Sequence, residues 1–243
     1  MTYCVGLKLN RGLVFMSDTR TNAGVDNISR FRKLFTWSVP GERVLVLMTA
    51  GNLATTQSVV SLLEERTKTP SERRPSILEL PTMFQIARHV GETLRDIIQL
   101  NAATGQKADS TFNSTIILGG QVKGMEPRMF LIYPEGNFIE ASDDTPFFQI
   151  GETKYGRPIL VRAYDPAMSF EDAAKLLLVS FDSTIKANLS VGLPLDLQVI
   201  DKDALRLGLS KRIEGDDPYY QTISNGWGEA LKKAFDSLPG FSF

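Results

Sequence analysis

The chain of 243 residues has one cysteine and one histidine. With Cys4 alone, an internal disulfide framework is excluded. No HxxxH or CxxC spacing occurs, so no zinc site is expected. His89 stands between Arg88 and Val90 in a stretch whose polar positions include Glu92, Arg95 and Asp96. Its expected role is a solvated histidine on a helix face. A serine–histidine–aspartate enzyme would have to be built on that residue, and so would a cysteine–histidine enzyme using Cys4. Cys4 itself is expected to be a small buried hydrophobe. Charge of one sign is lacking too. The 27 basic and 28 acidic residues leave a net −1, which gives neither nucleic acid nor an anionic membrane a reason to bind. The longest unbroken aliphatic stretch, Val44 to Met48, is far short of a membrane span. A basic-then-apolar leader is missing at the start. The expectation is a soluble cytoplasmic protein with no metal and no cofactor.

What is present is enough apolar residue, 42% of the chain, to fill a substantial core. Thr2–Leu9 and Gly12–Asp18 read as strands joined by the turn Asn10-Arg11-Gly12. After a polar loop, Thr19–Arg30, two more strands follow at Phe31–Trp37 and Arg43–Ala50. Four strands without room for crossover helices make an antiparallel sheet. The period then becomes helical, at 52–67 and again at 82–101. Between them, Thr67–Ser76 reads as a solvated loop rather than a basic docking site. Strands resume at Ser114–Val122, Arg128–Tyr133 and Asn137–Ala141. Two helices come next, the second opening on the capping-box-like Ser169-Phe170-Glu171-Asp172. Strands at Leu195–Asp201 and Leu205–Ile213 and a helix within Tyr219–Leu238 complete the chain. Segregated runs of strands and helices predict an α+β fold, with two antiparallel sheets face to face and a helical layer outside each. One domain is expected over 1–243, with 216–243 as a C-terminal extension.

Three residues carry the expected chemistry. If Met1 is removed, Thr2 bears a hydroxyl and a free α-amine on one residue. An unperturbed α-amine has a pKa near ~7.7–8.0, so part of it is neutral and able to take the hydroxyl's proton. Asp18 shares the Val14–Met16 face of its strand and is expected to point inward. Lys33 alternates with Phe31 and Phe35, which places its ammonium on a face bracketed by two phenylalanines. An inward carboxylate and an inward ammonium on successive strands predict a buried pair, and such pairs mark sites more often than they stabilise folds.

Thr2, Gly12-Leu-Val-Phe-Met-Ser-Asp18-Thr-Arg20-Thr-Asn-Ala-Gly24, Phe31-Arg-Lys33-Leu and Thr49-Ala-Gly51-Asn-Leu-Ala54 resemble, in this order, the proteasome-type β subunits. The resemblance is nearest to the bacterial group called Anbu, whose members also begin at Met-Thr. It implies a four-layer αββα fold of the N-terminal-nucleophile hydrolases and a threonine peptidase. Thr2 matches the nucleophile, Lys33 the essential lysine, and Asp18 the carboxylate that holds it. Arg20 matches an arginine that fastens the loop after Asp18. Gly51 matches the glycine whose N–H stabilises the oxyanion, and Ser190 the serine near the amine. Thr21, Asn22, Phe31, Phe35, Thr49 and Leu53 match the pocket for the residue before the cleaved bond. The family often has aspartate where Ala187 stands, and Ile-Gly-Ser-Gly where this chain has Ile150-Gly151-Glu152-Thr153. The implied partners are a peptide or unfolded-protein substrate and further copies of the chain in a closed or open ring, with any unfoldase unknown. Two other functions fit the same residues. One is an N-terminal-nucleophile amidohydrolase acting on a small amide. The other is a degenerate subunit kept as scaffold.

Overall fold

A computed structural model of the chain describes residues 2–22, 28–68, 75–102 and 112–242. The strands are β1 (Tyr3–Leu9), β2 (Gly12–Asp18), β3 (Arg20–Asn22), β4 (Ile28–Arg30), β5 (Leu34–Val39) and β6 (Arg43–Gly51). After helices α1 (Leu53–Lys68) and α2 (Met83–Ala102) come β7 (Ser114–Val122), β8 (Arg128–Ile132), β9 (Phe138–Glu140) and β10 (Phe147–Gly151). Helices α3 (Arg157–Ala163) and α4 (Phe170–Ala187), strands β11 (Leu195–Asp201) and β12 (Ser210–Ile213), and helix α5 (Pro218–Asp236) follow.

Two five-stranded antiparallel sheets face each other, in the orders β10-β1-β2-β11-β12 and β5-β6-β7-β8-β9, with a β3-β4 ribbon beside them. Strand alternation sorts the side chains into three apolar layers. On β1, Tyr3, Val5, Leu7 and Leu9 pack with Val14 and Met16 of β2 against α3 and α4. The residues between them, Cys4, Leu13 and Phe15, face the other sheet and meet Val44, Val46, Met48 and Ile117. Leu45 and Leu47, the alternate positions of β6, turn outward to α1 and α2. The expected α+β sandwich, with a helical layer on each outer face, is therefore the one observed. The sheets approach closely where glycine leaves room. A Cβ on Gly119 would lie 2.4 Å from the Phe15 ring, and one on Gly6 would lie 2.6 Å from Met129 Sδ.

The structure departs from the expected elements in four places. The loop expected over Thr19–Arg30 contains β3 and β4, with residues 23–27, including Gly24, outside the description. The strand expected from Phe31 begins at Leu34, because the Phe31 N–H turns to Thr19 O, 2.9 Å away, instead of joining the β5 ladder. The strand expected from Leu205 begins at Ser210. An additional strand, β10, pairs with β1 in register Tyr3↔Gly151 and carries the sheet edge to Thr2. Of the loop between α1 and α2, residues 69–74 lie outside the description.

Candidate active site

β2 is buried along its whole length and ends on Asp18. Lys33 Nζ donates to Asp18 Oδ1 at 2.7 Å, with the lysine only 4% exposed and the aspartate fully buried. The same oxygen accepts the Tyr3 N–H at 3.0 Å, and Oδ2 accepts the Gly192 N–H at 3.4 Å. Burial pushes the Asp18 carboxyl up from its ordinary value; the Lys33 ammonium and the two backbone donors oppose that shift by favouring the anion. Lys33 also donates to Arg20 O at 2.5 Å. The expected buried pair is therefore present, but the reason given for the burial of Lys33 is not. Phe31 is 37% exposed, and Phe35 packs on the α1–α2 side. Lys33 precedes β5, so strand alternation does not govern it. Its own carbonyl accepts the Thr49 N–H at 3.0 Å, and its ammonium is enclosed by Asp18 and the Arg20 carbonyl.

Thr2 is nearly buried and precedes β1. Glu152, at the end of β10, donates its N–H to Thr2 O at 2.7 Å. Gly151 makes that approach feasible. Its φ is +82°, and a Cβ there would lie 1.9 Å from Thr2 O. At the end of β6, Gly51 has φ +118°, and a Cβ would lie 2.3 Å from Asn113 O. Both positions require glycine for conformation and for space.

The loop between α4 and β11 closes over this region. Arg20 Nη1 donates to Leu189 O at 2.9 Å, and a Cβ on Gly192 would lie 2.3 Å from the guanidinium carbon. Arg20 therefore fastens the loop after α4. Within the loop, the Ser190 N–H donates to Asn188 Oδ1 at 2.9 Å, and Asn188 Nδ2 donates to Glu152 Oε2 at 2.9 Å. Sequence reasoning noted Ala187 and Glu152 as departures from the family pattern, but not that Asn188, the residue after Ala187, pairs with Glu152. It also missed the Tyr3 and Gly192 N–H groups on Asp18, since backbone donors have no side-chain signal.

The residues expected to line a pocket are spread over several elements. Thr21 is half-buried in β3, Thr49 is buried in β6, and half-buried Leu53 opens α1. Asn22 closes β3, and its side chain lies outside the description. Cys4 is fully buried between the sheets, as expected, and burial holds its thiol well above the ordinary value, with the Asp18 charge adding to the shift. His89 is a correction. It is 9% exposed, and its Nε2 lies 3.1 Å from Arg66 Nη1 of α1. It occupies the flank of α2 that meets α1, not a solvated face.

Among the described residues, no cluster of three or more His, Cys, Asp or Glu is arranged to hold a metal ion. None of the described helices is long and apolar enough to cross a membrane.

Comparison with known proteins shows the family of the chain. The family model for the proteasome subunit matches residues 2–200. Proteasome subunit beta 2 of Pyrobaculum calidifontis is 24% identical over 211 residues, which cover 83% of this chain and 90% of that protein. Among solved structures, a Gly-1 mutant of Anbu from Hyphomicrobium sp. strain MC1 is 50% identical, covers 100% of both chains and superposes with a TM-score of 0.92. Anbu from Yersinia bercovieri, described as an ancestral β-subunit, is 47% identical over 99% of this chain and 100% of its own, with a TM-score of 0.92. The subunit in the helical assembly of the Anbu complex from Pseudomonas aeruginosa is 45% identical over 99% and 98%, again with a TM-score of 0.92. The chain belongs to the proteasome subunit family, among β-type subunits of the Anbu group.

Proposed function

We propose that this chain is a threonine peptidase subunit that cleaves peptide bonds from Thr2 once Met1 has been removed. The observation that supports this most directly is the shared oxygen of Asp18. One carboxylate oxygen accepts both the Lys33 ammonium and the N–H of Tyr3, the residue bonded to Thr2. The nucleophile's backbone and the lysine are thus held to one fixed point. In the proposed reaction the Thr2 α-amine takes the hydroxyl proton as the oxygen attacks the substrate carbonyl. The Lys33 charge favours the neutral, proton-accepting amine and the developing alkoxide. The Gly51 N–H stabilises the oxyanion, the amine proton passes to the leaving nitrogen, and water then hydrolyses the ester on Thr2. Ser190, on the loop that Arg20 fastens, supports the amine.

Phe31, Phe35 and Leu53, with Thr21, Asn22 and Thr49, are proposed to receive the residue before the cleaved bond. Two aromatics and a leucine favour an apolar residue there. A peptide library is expected to show that preference, and a profile dominated by acidic residues would contradict it. The Pseudomonas relative forms a helical assembly, which supports a homo-oligomer here. Peptides or unfolded proteins are the proposed substrate.

The test joins mass and activity. Active protein is expected to lack Met1 by intact mass, because with Met1 in place the Thr2 nitrogen is an amide without basicity. Thr2→Ala is expected to abolish hydrolysis of a peptide amide. Retained activity in Thr2→Ala, or in protein that keeps Met1, would overturn the mechanism.

A further inference from the structure

The peptide bond between Thr2 and Tyr3 is held on both sides. Its carbonyl accepts the Glu152 N–H at 2.7 Å, and its N–H donates to Asp18 Oδ1 at 3.0 Å. The two anchors are joined to each other through the loop after α4. At one end of that loop the Gly192 N–H donates to Asp18 Oδ2 at 3.4 Å. At the other, Asn188 Nδ2 donates to the Glu152 carboxylate at 2.9 Å. The hydrogen bonds form a closed circuit around the Thr2–Tyr3 peptide, and the Asn188–Glu152 bond is the link in it that two side chains make.

Each member of that link is fixed in turn. The Asn188 N–H donates to Thr184 O at 2.9 Å, which anchors residue 188 to α4. Asn188 Oδ1 accepts the Ser190 N–H at 2.9 Å. Only Nδ2 is then left to face the Glu152 carboxylate, and an amide turned over would meet both partners with the wrong polarity. Exposed Ala187, the last residue of α4, brings no polar group to the loop. On the other side, Glu152 follows Gly151, where a Cβ would lie 1.9 Å from Thr2 O, so this backbone cannot shift without moving Thr2. We infer that Asn188 and Glu152 are a matched pair of positioning residues. Their bond locks the end of β10 to the loop after α4, and so sets the Thr2–Tyr3 peptide plane from which the Thr2 hydroxyl attacks. Glu152 acts through its N–H and through Asn188. The inference deepens the peptidase reading and rests on Thr2 as the nucleophile.

The test breaks the link and then rebuilds it with the polarity reversed, in the full-length protein. Asn188→Asp keeps an oxygen for the Ser190 N–H but sets two carboxylates face to face at about pH 8, where both are ionised. Adding Glu152→Gln restores a donor opposite the new carboxylate. Amide hydrogen exchange at Glu152, resolved with overlapping peptides, reads the bond to the Thr2 carbonyl without any enzymatic activity. Asn188→Asp is expected to speed that exchange about threefold to tenfold and to leave β7 unchanged, and the double variant to return it towards wild type. In turnover of a peptide amide, Asn188→Asp is expected to lower kcat about tenfold with KM held within about twofold, and the double variant to recover most of the loss. Should Asn188→Asp fail to fold, Glu152→Ala removes the same bond, leaves Asn188 its Ser190 partner, and is expected to speed exchange to the same extent. Exchange at Glu152 that stays within about twofold of wild type in the folded variant, or a double variant no slower than Asn188→Asp, overturns the inference. A wild-type protein that hydrolyses no peptide, but whose exchange rises and is rescued in this way, sinks the peptidase and leaves the positioning pair standing. Turnover that Thr2→Ala abolishes, with exchange that Asn188→Asp does not move, does the reverse.

Discussion

A carboxylate removed from water stays charged only where donors surround it, and Asp18 has three: Lys33 Nζ and the N–H groups of Tyr3 and Gly192. Removing the lysine leaves an uncompensated charge in a fully buried place. Lys33→Ala is therefore expected to cost about 3–5 kcal/mol in a denaturant titration. It is also expected to abolish turnover, and combining it with Thr2→Ala should lower activity little further, as for residues that act as a unit. A stability loss below about 1 kcal/mol would show that Asp18 is not charged as described. Tyr3 permits a second measurement. Its hydroxyl shares a hydrogen bond with Ser180 Oγ at 2.8 Å, accepts from Gln149 Nε2 at 2.6 Å, and is pushed by burial from 10.0 up to about 12. A raised pKa contributes stability that is complete below pH 10 and lost as pH rises towards 12. The stability advantage of wild type over Tyr3→Phe is therefore expected to shrink across that interval by at most roughly 2–3 kcal/mol. Tyr164 and Tyr220 are raised as well, but they are common to both proteins and cancel in the difference. How far these residues were legible in the sequence follows from what carries each one. Asp18 could be placed because β2 alternates without a break. Lys33 was paired correctly for a wrong reason, because it lies ahead of its strand.

At the scale of elements, the sequence shows what repeats and hides what depends on a partner. β2, β7 and β11 run over the residues their apolar pattern and turns predict. α4 starts where its cap signal places it, with Ser169 Oγ accepting the Asp172 N–H at 3.0 Å. Ser169→Ala is expected to cost about 1 kcal/mol in thermal or chemical unfolding. Peptide turnover should be unchanged, since the cap lies at the far end of α4 from the Asn188–Gly192 loop. β10 escaped detection because Phe147–Gly151 is short and becomes a strand only by pairing with β1. β3 and β4, of three residues each, likewise owe their form to one another. His89 was misjudged because the apolar stripe of α2 predicts one buried face. Packing against α1 buries a second, polar flank, where Arg66 Nη1 reaches both His89 and Thr93 Oγ1 at 3.1 Å. The β10–β1 pairing and the Arg66 contacts have no local signature, since each joins residues far apart in sequence.

For the whole molecule, the two sheets and their helical layers enclose the core, and α5 behaves differently along its length. Asp217 caps its start by accepting the Tyr219 and Tyr220 N–H groups, and Tyr220 and Ile223 pack into the core layer formed by α3, α4 and the first sheet. The first half of α5 is thus held by its own subunit. Beyond Gly226, Trp227 is still half-buried, but the large apolar residues that follow turn outward: Leu231, Phe235 at 75% exposure, and Leu238. Leu231 and Phe235, one turn apart on α5 and left in water, call for a second surface, and aromatics are enriched where subunits meet. The proposed occupant is another copy of this chain, as the helical assembly of the Pseudomonas relative supports. Ending the chain before Gly226 keeps the Tyr220 and Ile223 anchors, so the shortened subunit is expected to fold and show cooperative unfolding. Light scattering is expected to find the full-length protein in a large assembly and the truncated one in smaller species. Phe235→Glu, which places a charge on the exposed stripe and disturbs no internal contact of the core layers, is expected to weaken assembly in the same direction. A monodisperse full-length monomer would refute assembly itself. An unchanged oligomer in both variants would refute only the role of the tail and move the interface to another face.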